Sequence, residues 1–436
     1  MPTLRKILIL TLCFIPCYAT LSVAVIIPED TPKNCKRLLD QIGGIPLRPE
    51  GSAIQDPYFK EVDRVAAILK GNDQLNETNE FINPRKWREL TAESGLPGAD
   101  LPKTVGGRDL PIHDVLKMFE YAGRYSLNLR DIVGGGHARF LLGSSAPEHK
   151  KILEQVAKGN GYVAIAITEK EAGSNVRGMQ SVSKKVEGGY EISGDKFYNA
   201  RLGNCSHVII MTQAPGQEGK TGKISSYILP IDYPGLKVTE IKAGGLKGNS
   251  FGGVSFKNLF IPETARIGKD GQSTETFRKH FTYWRTMQIS AAIGTARRAL
   301  EMTSERMKTR EVGGKKLASM THLQQALADH TMKMDAAAVY LERIVKNMEE
   351  GKEIDATTMA AGAKGLFIKQ AFDAVEFSTT THGASGYDLE NDLMGRLWDL
   401  QGLKIADGSS DVMNSEYVKR IYGKDMSDFA FLGGGQ

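Results

Sequence analysis

Apolar residues recur every three or four positions in three early stretches, "PYFKEVDRVAAILKG", "NPRKWRELTAESGLPG" and "IHDVLKMFEYAGRYS". That period keeps one face of a helix against a core, and Gly or Pro stands near each end as a stop signal. From Gly161 the pattern changes. "GYVAIAITE", "YEISGDKFYNA", "HVIIMTQA", "SSYILPI", "LKVTEI" and "GGVSFKNLFIP" are short, rich in β-branched and aromatic residues, and separated by turn formers, which predicts strands. "VEGGYEI" predicts a hairpin with positive φ at both Gly188 and Gly189. After Gly271 the helical period returns in longer runs, "TMQISAAIGTARRALEMTSERMKTR", "THLQQALADHTMKMDAAAVYLERIVKNMEEGK" and "MAAGAKGLFIKQAFDAVEFSTTTHG". Helices of that length with a broad apolar face fit a four-helix bundle.

The resulting division is a hydrophobic leader (1–33), an N-terminal helical domain (34–160), a central β domain (161–272) and a C-terminal helical bundle (273–436), an α+β fold. The leader stands apart. After Arg5 and Lys6, the run from Ile7 to Ile27 carries no charge and reads as a signal or membrane segment, with Ser22-Val23-Ala24 as a possible cleavage site. If it inserts, the positive-inside rule sends the folded body across the membrane. If the start codon is mis-assigned, these residues are foreign to the protein. The expected location is the cytoplasm, with membrane anchoring or export as the alternative.

Composition removes several classes of function. With 41% hydrophobic and 25% charged residues, the chain is an ordinary globular one with enough length for a large core. A net charge of +5 without basic clusters interleaved with aromatics argues against nucleic-acid binding. The four cysteines, at positions 13, 17, 35 and 205, form neither a disulfide framework nor CxxC pairs, and the histidines lack a metal-type spacing, so no metal site is expected.

Two stretches offer chemistry. In "AIAITEKEAGSNVRG" a strand delivers Thr168 to a loop, Ala172-Gly173-Ser174-Asn175, that can aim hydroxyls and backbone N–H groups at a heterocycle or phosphate. In "LKIADGSSDVMN" Asp407 lies in an Asp-Gly turn, one of the commonest turn dipeptides.

"TEKEAGSNVRG" resembles the TEPGAGSD signature of the acyl-CoA dehydrogenase family of flavoproteins. Further resemblances follow in the family's order. They are "YEISGDKFYNARLGNCSHVIIMT", "LKGNSFGGVSFKNLFIPETARIGKDG", "RTMQISAAIGTARRALEMTSERMKTREVGGK" and "THGASGYDLENDLMGRLWDLQGLKIADGSS", so the likeness covers about Asn34 to Gly423.

The resemblance implies a barrel-like β domain and FAD bound between it and the bundle. It implies that Thr168 and Ser174 meet the flavin and the reacting end of the substrate, and that Tyr198 lies against the flavin. Arg310 would reach the FAD pyrophosphate of a neighbouring subunit in a homodimer or homotetramer. Gly383 and Ala384 would admit the adenosine-diphosphate part, Ser409 would contact FAD, and Arg285 would stand near the base. Asp407 takes the position of the acid that removes the α-proton of an acyl thioester, carried on CoA or an acyl-carrier protein. The electron acceptor would be an electron-transfer flavoprotein or oxygen. An oxidase or monooxygenase on the same fold, resembling nitroalkane oxidase, and a flavin-free binding scaffold are the alternatives. The sequence departs from the family pattern at Lys170-Glu171, at Ala200-Arg201 and at Thr321, where Pro-Gly, Thr-Asn and Gln are usual.

Overall fold

The computed structural model describes residues 56–71, 84–213 and 224–423. The hydrophobic N-terminal run and Cys13, Cys17 and Cys35 lie outside the described residues. Among the described residues, no helix is long and apolar enough to cross a membrane.

Four helices open the described chain, α1 (Asp56–Gly71), α2 (Pro84–Leu90), α3 (Ile112–Tyr125) and α4 (Pro147–Ala157). The helix expected over 84–98 stops at Leu90, because Gly95 takes a left-handed φ of 75° and Pro97-Gly98 cannot continue it. Short 3₁₀ turns fill the rest. Between α3 and α4, Leu127–Ile132 and Gly136–Leu141 are also 3₁₀. Arg88 anchors this irregular stretch from behind, donating to the carbonyls of Pro97, Asp131, Gly134 and Val156. It is buried, and burial draws its pKa down to about 10.

The β domain holds β1 (Val163–Ala166), β2 (Val182–Val186), β3 (Gly189–Ala200), β4 (His207–Gln213), β5 (Ile224–Pro230), β6 (Lys237–Ile241), β7 (Phe251–Pro262) and β8 (Arg266–Ile267). Their order in the sheet is β6-β7-β3-β2-β4-β5-β8, and β1 runs parallel to β4. Tyr190, Ile192, Val208, Ile210, Tyr227 and Val254 form the centre of its core. The hairpin between β2 and β3 is present, but only Gly188 has a positive φ (74°). Gly189 is the first residue of β3, and a Cβ there would collide with the Ile261 carbonyl of β7. Close strand approach, not turn geometry, requires that second glycine.

The bundle is α5 (Ser273–Thr309), α6 (Thr321–Glu349), α7 (Glu353–His382), α8 (Leu393–Ile405) and α9 (Ser410–Tyr422). Helix α5 is buried on nearly every side from Phe277 to Arg297, clasped by α3 and α7. Its buried polar residues therefore need partners inside the protein. Gly123 of α3 and Gly294 of α5 meet across this crossing. A Cβ on the first would strike the Ala291 carbonyl, and one on the second the Glu120 carbonyl. Ser290 and Thr295 tie the same crossing by donating to the carbonyls of Leu116 and Gly123.

Candidate active site

Asp407 sits in the turn that joins α8 to α9, with a left-handed φ of 56°. Few residues other than Gly adopt that conformation, and Asp is among those that tolerate it best. Gly408 follows at φ 99°, and the Ser409 hydroxyl caps α9 by accepting from the Val412 N–H at 3.4 Å. The turn is held from beneath. Arg285 of α5 donates through Nε to the Asp407 carbonyl at 2.9 Å, and Gln288, one turn on, donates through Nε2 to Asp407 Oδ2 at 2.7 Å. Lys364 of α7 donates to the carbonyls of Leu403 (2.7 Å) and Gly408 (3.2 Å). Burial pulls the Lys364 ammonium down to about 7, against the opposing pull of the Asp407 charge.

Across the chain, β3 contributes a bulge. Its register with β7 slips between Lys196 and Asn199, and Tyr198 within the slip has φ 59°. A bulge turns a side chain out of the sheet. The Tyr198 ring stays 52% exposed, 6.0 Å from the stacked Phe251 ring. The half-buried Thr168 stands beside it, its carbonyl accepting from the Phe197 N–H at 2.7 Å. The loop after Thr168 hangs on Glu169, a buried carboxylate. It accepts from the N–H groups of Gln180 (2.5 Å) and Ser181 (3.0 Å), the Ser181 hydroxyl (2.6 Å) and Lys196 Nζ (2.8 Å). Burial lowers Lys196 to about 8, with Glu169 opposing. Ser174 is exposed on that loop. Lys170, at one departure from the family pattern, lies 4.4 Å from the centre of the Phe197 ring.

Arg201, at the other departure, turns inward. It is buried, with φ 76°, and pairs with the buried Asp131 in the 3₁₀ stretch after α3. Its guanidinium lies 4.7 Å from the Trp284 ring centroid and 5.1 Å from that of Tyr162.

The structure therefore gathers Asp407 with Arg285 and Ser409, and places Thr168 next to the Tyr198 bulge. It does not gather all expected residues within one chain. Arg310 is exposed at the end of α5, 25 residues beyond Arg285, which is about 37 Å along a helix axis. Gly383 follows the last residue of α7 and Ala384 opens the short helix Ala384–Tyr387, both far along the chain's helical run from Lys364. Gly383 has φ 64°, and no heavy atom lies within 4 Å of where its Cβ would stand. Gln288, Lys364 and Asp131 escape sequence reading. Only the three-residue spacing of Arg285 and Gln288 on one helix hints at the pair. Among the described residues no group of His, Cys, Asp or Glu could hold a metal ion.

Residues 164–259 match the family model for the acyl-CoA dehydrogenase middle domain, and residues 274–422 that for its C-terminal domain. Together these span more than half of the sequence. The chain belongs to the acyl-CoA dehydrogenase family. It is accordingly an FAD-dependent oxidoreductase. The chain is similar to an L-prolyl-[peptidyl-carrier protein] dehydrogenase of a Serratia species, 23% identical, over 84% of this chain and 96% of the relative. It is also similar to the benzylmalonyl-CoA dehydrogenase of Aromatoleum aromaticum, 26% identical, over 86% and 98%. In fold it matches the butyryl-CoA dehydrogenase of Megasphaera elsdenii with a TM-score of 0.74, at 19% identity over 85% and 99%.

The residues present fit the cofactor. Tyr198 offers an exposed aromatic face, the Ser174 loop is open, and the space beside Gly383 is free for a phosphate or ribose to approach backbone.

Proposed function

We propose that the enzyme introduces a double bond between the α- and β-carbons of an acyl thioester, carried on CoA or on an acyl-carrier protein. The observation that carries this reading is the Asp407 carboxylate, set in a left-handed turn and held by Gln288 at 2.7 Å with Arg285 on its carbonyl. A carbon-bound α-proton is a weak acid, so its removal needs a fixed base shielded from water. Asp407 is that base. Gln288 orients its Oδ2, which leaves Oδ1 to accept the proton. Arg285 and Lys364 fix the backbone of the turn, so the carboxylate does not swing away as its charge is neutralised.

FAD, when bound, supplies the acceptor for the hydride that leaves the β-carbon. Tyr198 and Thr168 would lie against its ring system, with Ser174 at the junction of ring and substrate. Ser409 would contact it beside the base. Gly383 and Ala384 would receive the adenosine-diphosphate part. Arg310 stands too far from Asp407 to serve its own chain's site, so in a homodimer or homotetramer it would pair with the partner's pyrophosphate.

The deciding experiment is anaerobic bleaching of the bound flavin by acyl-CoAs, acyl-carrier-protein thioesters and nitroalkanes. Bleaching by a thioester supports the reading. Bleaching by nitroalkanes alone, followed by oxygen uptake once air is admitted, would assign the protein as an oxidase instead. A purified protein that binds no flavin would make it a scaffold.

A further inference from the structure

His280, Trp284 and Gln288 follow one another at four-residue spacing on α5 and so form one stripe along the helix. The stripe ends at Asp407, which Gln288 holds. One turn back, about 6 Å along the axis, the Arg201 guanidinium lies on Trp284. One turn further, His280 Nε2 meets His137 Nδ1 at 2.9 Å. All these side chains except that of Asp407 are at least nine-tenths buried.

Several of their polar atoms have no partner. Arg201 Nη1, Trp284 Nε1 and His280 Nδ1 are all buried without a hydrogen bond. A buried guanidinium N–H left unmatched is costly, and a buried charge more so. The backbone adds to the cost, since Arg201 holds φ 76°, outside the comfortable range for a long side chain.

The fixed charge here is cationic. Asp131 lies between Arg201 and Arg130, whose Nη2 is 3.8 Å from it, and Arg88 behind them donates only to backbone carbonyls among its described bonds. Burial and the neighbouring Arg201 charge hold His137 far below its ordinary pKa, and burial with the Arg139 and Arg201 charges does the same for His280. Both rings are therefore neutral, so Asp131 and Asp407 are the carboxylates that act on Arg201, and its Nη1 is left without an acceptor. A hydrocarbon tail would satisfy none of these donors. A carboxylate would satisfy a guanidinium N–H, an indole N–H and the charge together.

We propose that Arg201, resting on Trp284 and braced by Asp131, is the specificity residue for the acyl group, and receives a carboxylate or similar anion at the far end of a short chain. This assignment rests on the reading of Asp407 as base, because the distance between the two ends is set by the stripe. The substrate class is thus a dicarboxylic monothioester of about glutaryl size.

The test is calorimetric binding of glutaryl-CoA and pentanoyl-CoA to the flavin-loaded enzyme, with flavin bleaching recorded in parallel. The expected result is at least tenfold tighter binding of glutaryl-CoA. Arg201→Lys, which keeps the charge but loses the fork, should shrink that preference. Arg201→Asn combined with Asp131→Asn, which leaves no unpaired carboxylate, should abolish it. Equal binding of the two thioesters, or a preference that survives the double substitution, would overturn the assignment and leave the dehydrogenase reading intact. An Arg201-dependent preference without bleaching by any thioester would uphold the anion site and sink the dehydrogenase reading.

Discussion

Gln288 donates its side-chain amide to the Asp407 carboxylate across 119 positions of sequence, at 2.7 Å. The contact fixes which way the carboxylate faces, and a misplaced base loses rate. Gln288→Leu should therefore slow flavin reduction by substrate by about tenfold. Stopped-flow reduction under anaerobic conditions reads the change. A rate equal to the parent's would show that the contact does not position the base.

Asp407→Asn keeps size and most hydrogen bonds but accepts no proton. The protein should stay folded and yellow, with the reductive step slowed by roughly 10²–10⁴-fold. Asp407→Glu should retain part of the rate. Near-parental reduction in the Asn variant would send the search to another carboxylate, Glu171 first, which is exposed on the loop after Thr168.

Lys364 carries a pH effect with a definite sign. Its folded pKa is about 7, below the ordinary Lys value of 10.5. Between those values the unfolded chain binds more protons than the folded one, so this residue makes stability rise with pH across that window. Below about 7 both states are protonated and the slope vanishes. Urea midpoints at pH 6, 8 and 9.5 should rise more steeply in the parent than in Lys364→Met. Parallel slopes would contradict a neutral Lys364 at high pH.

Lys196→Met removes the cation from the buried Glu169 and leaves its carboxylate with neutral donors only. Loss of one partner of a buried pair typically costs about 3–5 kcal/mol. The expected outcome is a lower denaturation midpoint and weaker flavin retention, because the loop bearing Ser174 hangs on Glu169. Adding Glu169→Gln to Lys196→Met should recover much of the stability.

Arg310→Ala tests the arrangement between subunits. Its exposed place at the far end of α5 predicts that flavin content and oligomer size fall together, measured by absorbance ratio and light scattering. A fully flavin-loaded oligomer would remove that role from Arg310.

The long helices and most strands were legible because period and length agree over many residues. The stretch 127–141 was not: its apolar spacing resembles that of a helix, but its glycines and the Arg88 bonds to its carbonyls hold it in short turns. Asp407 and its turn could be found from local sequence, since turn chemistry is local. Its partners could not, because Gln288 and Lys364 sit on other helices and look like ordinary polar residues of a bundle. Arg201 stood out in the sequence only as a departure from the family pattern, and its place as a cation turned into the core depends on a left-handed backbone that sequence does not announce.

The paired glycines where α3 crosses α5 set how wide the interior can be. Backbone touches backbone there, so the gap is fixed like the jaw of a vice and no side-chain change on those two faces widens it without prising the helices apart. Adaptation to a new acyl group must then proceed by exchanging the inlay, Asp131, His137, Arg201 and Trp284, inside a frame that stays put. A laboratory library confined to those four positions should sample new substrates while keeping the fold, whereas one that includes Gly123 or Gly294 should fill with inactive clones.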